Sequence, residues 1–199
     1  MWCRLVWLPV AIALAASAQI PCEQLKSLKL AGAAITLAES ITAGSLKNPG
    51  APPAAAAQAL PAYCLVAATL KPSPDSDIKI EIWLPADAVW NGKFQAIGGG
   101  GWVGAISYPG MATALQDGYA TASTDTGHEG RSASFAVGHP EKVVDFSHRA
   151  VHEMTVKAKA IITAYYGRGP RLSYWNGCST GGRQGLIAAQ QYPEDFDGI

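Results

Sequence analysis

The sequence carries little charge and no excess of either sign. Charged residues make up 15% of the 199-residue chain, with 15 Lys plus Arg set against 15 Asp plus Glu. A nucleic-acid surface needs a basic excess gathered on one face, so no nucleic-acid partner is expected. Long apolar runs are also missing. The longest stretch at the N-terminus, Leu5 to Leu14, is interrupted by Pro9 and is far short of the roughly 20 residues that span a bilayer. No repeat of fixed period is present, which excludes a solenoid or propeller. Cysteine is scarce, at positions 3, 22, 64 and 178, and no histidine follows His152.

What is present at the N-terminus has the layout of a secretory signal. Arg4 gives a positive start, Leu5 to Leu14 an apolar segment, and Ala16-Ser17-Ala18 a small-residue cleavage site. Residues 1–18 are read as a cleaved signal peptide and 19–199 as the N-terminal portion of a catalytic domain. Gln19-Ile20-Pro21 before Cys22 does not resemble a lipoprotein cleavage box. The expectation is therefore a soluble, secreted or periplasmic protein with no membrane attachment after signal cleavage. Removal of Cys3 leaves Cys22, Cys64 and Cys178, an odd number for an oxidising compartment. Cys22 and Cys64 flank an irregular Ala- and Pro-rich stretch and are the preferred pair. Cys178 is then a buried free thiol, or pairs with a cysteine beyond residue 199.

Ile35 to Ile41 reads as a strand, and Asn48 to Pro53 as a breaker-rich loop. Ile78, Ile80 and Ile82 alternate with Lys79, Glu81 and Trp83, the period-2 pattern of a half-buried strand. Asn91-Gly92 is a tight-turn dipeptide feeding a strand from Phe94 to Ile97, which ends in Gly98 to Gly101. A short helix around Met111 to Gln116 and a strand from Tyr119 to Ser123 follow. Val151, Met154, Ala158, Ile161 and Tyr165 recur at helical spacing, so Ser147 to Tyr165 is a helix stopped by Gly167 and Pro170. Leu172 to Trp175 is a strand, Thr180 to Gln190 a helix, and Phe196 to Ile199 the start of another strand. Alternating strands and helices specify an α/β fold with a mostly parallel sheet.

Gly177-Cys178-Ser179-Thr180-Gly181 fits the nucleophile elbow, in which a strand turns sharply into a helix and a serine hydroxyl stands clear of the sheet. Ser179 is the expected nucleophile. Side chains at the flanking positions would clash in such a turn, so Gly177 and Gly181 are expected to relieve it, with Gly182 adding room. The N–H of Thr180, at the helix start, is placed to stabilise a developing oxyanion. The second donor should come from the glycine run after an earlier strand, with Gly100 or Gly101 favoured. Gly99-x-Gly101-x-x-Gly104 also satisfies a dinucleotide fingerprint, with Asp125 about 20 residues on. Trp102 and Pro109 suit poorly the helix such a motif opens, and it leaves the serine motif unexplained. A serine nucleophile needs a base, usually His oriented by a carboxylate. His128, His139, His148 and His152 all precede Ser179, whereas the order on this fold is Ser, Asp or Glu, His. His128, in Asp125-Thr126-Gly127-His128 after a sheet strand, is the best pocket-edge candidate. The absent base, the odd cysteine and the unfinished sheet together predict a polypeptide cut short of its full domain.

The run Gly177-Cys178-Ser179-Thr180-Gly181-Gly182-Arg183-Gln184-Gly185 closely resembles the nucleophile region of the tannase and feruloyl esterase family. Ile80-Glu81-Ile82-Trp83-Leu84-Pro85, Trp90 to Phe94, Ala122 to His128 and Tyr192 to Ile199 are similar as well. The resemblance implies an α/β-hydrolase domain with a large lid that binds calcium, and a Ser-Asp-His triad. It further implies a disulfide between the cysteine beside the serine and one beside the histidine. On this sequence Ser179 matches the nucleophile and Cys178 the disulfide partner. The Asp, the His, the second cysteine, the lid and its calcium ligands would lie beyond Ile199, so no cofactor is expected within the chain. The implied activity is hydrolysis of phenolic-acid esters of feruloyl or galloyl type through an acyl-enzyme, with residues 1–199 inactive alone. The alternative is a non-catalytic secreted binding protein on the same scaffold.

Overall fold

The computed structural model describes residues 20–44 and 60–199. The expected signal peptide (1–18) and the expected loop from Asn48 to Pro53 lie outside these residues. The isoleucines of the period-2 run sit in β3 (Ile78–Pro85), where Ile78, Ile80 and Ile82 are buried. Trp83 does not take the expected exposed side: it is fully buried, because the second face of the sheet is covered too. Six strands form one sheet. β1 (Ala33–Ile41), β2 (Tyr63–Leu70) and β3 run antiparallel, and β4 (Lys93–Ile97), β5 (Ala120–Thr124) and β6 (Leu172–Asn176) complete the order β1-β2-β3-β5-β4-β6. β5 is antiparallel to β3 and parallel to β4, and β4 is parallel to β6. The α/β class holds, but the sheet is mixed. Parallel pairing is confined to the strands joined by helices, since a parallel neighbour needs a long crossover.

Those crossovers lie on opposite faces. Helix α1 (Tyr108–Gln116) joins β4 to β5, and Met111 and Leu115 pack on Leu65, Trp83 and Ile97. From β5 the chain enters α2 (Pro140–Val144), one wider π-turn (Asp145–Arg149) and α3 (Ala150–Tyr166) before reaching β6. Met154, Ala158 and Ile161 of α3 cover the other face, against Val66, Ile80, Ile82 and Phe94. Helical conformation thus starts at Pro140, upstream of the expected Ser147, since a proline at the first helical position is already set for the helix. Gly167, at φ 69°, ends α3 as expected. Strand order reverses at β4, and the crevice beyond the carboxyl ends of β4 and β6 is where this class of sheet places its ligands. Helix α4 (Thr180–Gln191) follows β6, and Gly198 makes one parallel bridge back to Tyr174. That bridge is all that forms of the strand expected from Phe196.

Cys22 and Cys64 form a disulfide, with Cα atoms 5.6 Å apart. It ties a 3-10 turn (Cys22–Ser27) to β2, with Leu25 buried beside it. At the end of β5, the Asp125 carboxylate accepts N–H bonds from Lys79 (2.9 Å) and Gly127 (2.8 Å). Burial nevertheless pushes the Asp125 carboxyl up to about 7. Among the described residues no helix is long and apolar enough to cross a membrane.

Two stability predictions follow from these ties. Closing a loop of 42 residues removes unfolded-chain entropy worth about 4 kcal/mol. The Cys22→Ser/Cys64→Ser double variant should therefore show a clearly lower urea midpoint, and an unchanged midpoint would contradict the tie. For Asp125, the folded state holds the proton more tightly than the unfolded chain does. Its contribution is present below about pH 4 and is lost as pH rises through about 7. Asp125→Asn keeps the acceptor oxygen without the charge. Melting curves between about pH 4 and pH 8 should be flatter for this variant than for the parent; equal slopes would refute the account.

Candidate active site

At the carboxyl end of β6, Gly177 and Cys178 lead to Ser179, and α4 starts at Thr180. Ser179 has φ 55° and ψ −117°; among the described residues Thr126 is the only other non-glycine with positive φ. Such a backbone costs on the order of 1–3 kcal/mol and persists only where its surroundings over-determine it. Here the Gly181 N–H donates to the Cys178 carbonyl (2.9 Å) and the Arg183 N–H to the Ser179 carbonyl (3.1 Å). The buried Trp175 indole donates to the Gly181 carbonyl (2.8 Å), fastening the strand to the first turn of the helix. A Cβ at Gly177 would fall 2.6 Å from the Gly181 carbonyl carbon, so the turn admits only glycine there. One at Gly181 would stand 3.1 Å from the Gly99 carbonyl oxygen. Gly182 is different: a Cβ would meet nothing closer than 3.8 Å, so it adds no needed room. The Ser179 side of the turn is exposed.

The glycine run after β4 lies against this turn. The Gly98 N–H donates to the Asn176 carbonyl (2.9 Å), continuing the ladder between β4 and β6. A Cβ at Gly98 would come 2.7 Å from Gly181 Cα and 2.8 Å from the Trp175 ring, so the two backbones touch. Beyond it the loop is fastened on both sides. The Gly99 N–H donates to Gln184 Oε1 (3.1 Å), the Thr180 hydroxyl to the Gly101 carbonyl (3.2 Å), and the Val103 N–H to the Gly100 carbonyl (3.1 Å). The N–H groups of Gly100 and Gly101 carry none of these bonds, and the Thr180 N–H stands in the first turn of α4, where backbone donors have no intrahelical partner. Beside the loop is a groove of about 180 Å³, walled by Gly98 to Gly100, Val103, Ala105 and Ile106. Gly104 pairs with Gly130 and the next helix starts only at Tyr108, so Gly99-x-Gly101-x-x-Gly104 does not open a helix as a dinucleotide loop does.

His128 sits under the same loop. It is 5% exposed, stacked on Phe135 (3.8 Å), and its Nε2 donates to the Trp102 carbonyl (2.9 Å). His139 pairs with Asp75 (3.0 Å), His148 with the Tyr192 hydroxyl (2.8 Å) and His152 with Asp195 (2.9 Å). Burial lowers the pKa of His148. Among the described residues no histidine hydrogen-bonds to Ser179. Cys178 is an exposed free thiol there, not a buried one. Three residues that the nucleophile motif does not single out hold the turn: Trp175, Gln184 and Arg183. The Arg183 guanidinium donates to the carbonyls of Ser147 (2.8 Å) and Phe146 (3.3 Å), carbonyls of the π-turn. Gln184 was legible in outline. Gly181, Gln184, Gly185 and Ala188 make the buried face of α4, and a glutamine among such small residues needs a polar partner. Among the described residues no group of three or more His, Cys, Asp or Glu side chains is placed to hold a metal ion.

Residues 64–199 match the family model described as tannase and feruloyl esterase. An uncharacterized esterase of Xanthomonas campestris is 41% identical over 191 residues, covering 95% of this chain and 32% of the relative. A probable feruloyl esterase B-1 of Aspergillus fumigatus is 42% identical over 137 residues, covering 69% of this chain and 26% of the relative. Among solved structures, feruloyl esterase B from Aspergillus oryzae superposes with a TM-score of 0.81 at 35% identity, over 89% of this chain and 35% of that one. Tannin acyl hydrolase from Aspergillus niger gives 0.64 at 27% identity, over 92% and 34%. The chain spans about a third or less of the length of these relatives. A match over more than half of the chain, two relatives above 40% identity and a shared fold lead to one conclusion: the chain belongs to the tannase and feruloyl esterase family.

Proposed function

We propose that this chain carries the nucleophile half of a carboxylic-ester hydrolase acting on phenolic-acid esters, of feruloyl or galloyl type. The observation that carries the reading is the backbone of Ser179, held at φ 55° between β6 and α4 and beside a glycine loop in which, among the described residues, the N–H groups of Gly100 and Gly101 have no hydrogen-bond partner. In the first step Ser179 Oγ attacks the ester carbonyl carbon, its proton passes to a base, and the alcohol leaves with a proton returned by that base. Water then attacks the acyl-enzyme, releasing the phenolic acid and restoring the hydroxyl. The oxyanion of each tetrahedral intermediate is met by the Thr180 N–H and by Gly100 or Gly101. The groove walled by Val103 and Ile106 receives an apolar part of the ester.

The base and its orienting carboxylate are assigned to sequence beyond Ile199, as the family resemblance implies. Support comes from the histidines present: each is engaged elsewhere, and His128 spends its Nε2 proton on the Trp102 carbonyl. Cys178 is assigned to a disulfide with a cysteine next to that distant histidine. Calcium belongs to a lid outside these residues, and no step here runs through it. The N-terminal segment is assigned to export, giving a secreted or periplasmic enzyme.

Two measurements test the reading. In a polypeptide extended to the length of its relatives, Ser179→Ala should lower kcat on methyl ferulate or methyl gallate by at least about a thousandfold. Turnover left unchanged would sink the assignment. A fluorophosphonate should label the extended polypeptide at Ser179, while residues 1–199 alone should hydrolyse neither ester. A folded, extended polypeptide that resists labelling would instead favour a non-catalytic binding protein.

A further inference from the structure

The glycine loop has a fastening that neither the nucleophile motif nor the loop's own sequence requires. Gln184 lies on the buried face of α4 and is 3% exposed. Its Oε1 accepts the Gly99 N–H at 3.1 Å, and a Cβ built on Gly98 would stand 3.2 Å from the same oxygen. The amide therefore reaches across from the helix that begins beside the nucleophile and fixes the loop one residue before Gly100. Gly100 is exposed and has nothing within 4 Å of its Cβ position. Side-chain packing therefore does not fix the plane of its peptide, whose orientation follows from the anchors on either side. These are Gln184 at Gly99 and the Thr180 hydroxyl at Gly101.

We infer that Gln184 is a positioning residue: by accepting the Gly99 N–H it turns the following N–H groups of the loop toward the oxygen that becomes negative when Ser179 attacks. This rests on the esterase reading above. The anchor comes from the same helix as the Thr180 N–H, so both donors move with one rigid body. The inference separates two kinds of contact. Gln184 is buried behind the loop and holds its backbone, so its effect falls on the aim of the donors and not on ground-state binding, and donors misaimed by about 1 Å lose most of their effect in the transition state.

The test uses the extended polypeptide and Gln184→Met, which matches the length of the side chain and removes the acceptor. The expected result is a kcat lower by about 30- to 100-fold with KM changed less than about threefold. The Ki of a trifluoromethyl ketone analogue of the ester should rise by the factor that kcat/KM falls, while the Kd of the free phenolic acid stays the same. A general loosening of the fold would weaken both ligands alike and would overturn the inference. Wild-type kcat in Gln184→Met also overturns it, and does so without touching the esterase reading if Ser179→Ala is inactive in the same background. Should Gln184→Met not fold, Gln184→Asn, which withdraws the acceptor by one methylene, carries the same comparison.

Discussion

Two backbones touch where β4 and β6 end, and the rest of the site depends on that contact. Gly98 lies against Gly181, and Gly177 against the same turn of α4, at separations that leave no space for a side chain. Trp175 fills the floor beneath them and ties the strand to the helix through its indole N–H. Because the approach is this close, the strained turn at Ser179 cannot relax without moving β4, and the glycine loop cannot lift without opening the turn. The conformational cost at Ser179 is thus met by packing distributed over two strands and a helix.

A second constraint acts from below. Arg183 of α4 donates to the carbonyls of Ser147 and Phe146 in the π-turn while its guanidinium lies over Phe146 (5.0 Å). Phe146, Phe135 and Trp102 in turn enclose His128, whose imidazole supports the Trp102 carbonyl. The irregular helix, the aromatic cluster and the loop are therefore one structure, held at one end by α4. The histidine nearest the loop serves as a strut in it.

Much of this was legible in the sequence where local rules decide. β1, β3, β4, β5 and β6, α1, α4, the glycine stop after α3 and the Cys22–Cys64 pair follow from periodicity, turn chemistry and cysteine position. The failures share a cause: each depends on what packs from elsewhere. Trp83 is buried because α1 comes down on the second face of the sheet, which a strand's own alternation does not reveal. The sheet is mixed because β3 pairs with β5, a choice made by connections and not by either strand. The π-turn is met by donors from Arg183, more than thirty residues away, and Gly182 has a glycine's appearance without a contact that demands one. At the site, the elbow and the loop were readable as motifs; the amide that joins them was visible only as a polar residue on a face otherwise made of small ones.

The opposed crossovers have a mechanical corollary. Helices α1 and α3 press on different faces of the sheet and belong to separate cores, while the loop and the serine hang from the same pair of adjacent strands. The β4–β6 ladder lies between the two layers and contributes side chains to both. Trp175, which lies under the Gly98–Gly181 contact, belongs to the core beneath α3, and Ile97, next to Gly98, to the core beneath α1, so the spacing between the loop and the serine is coupled to both layers.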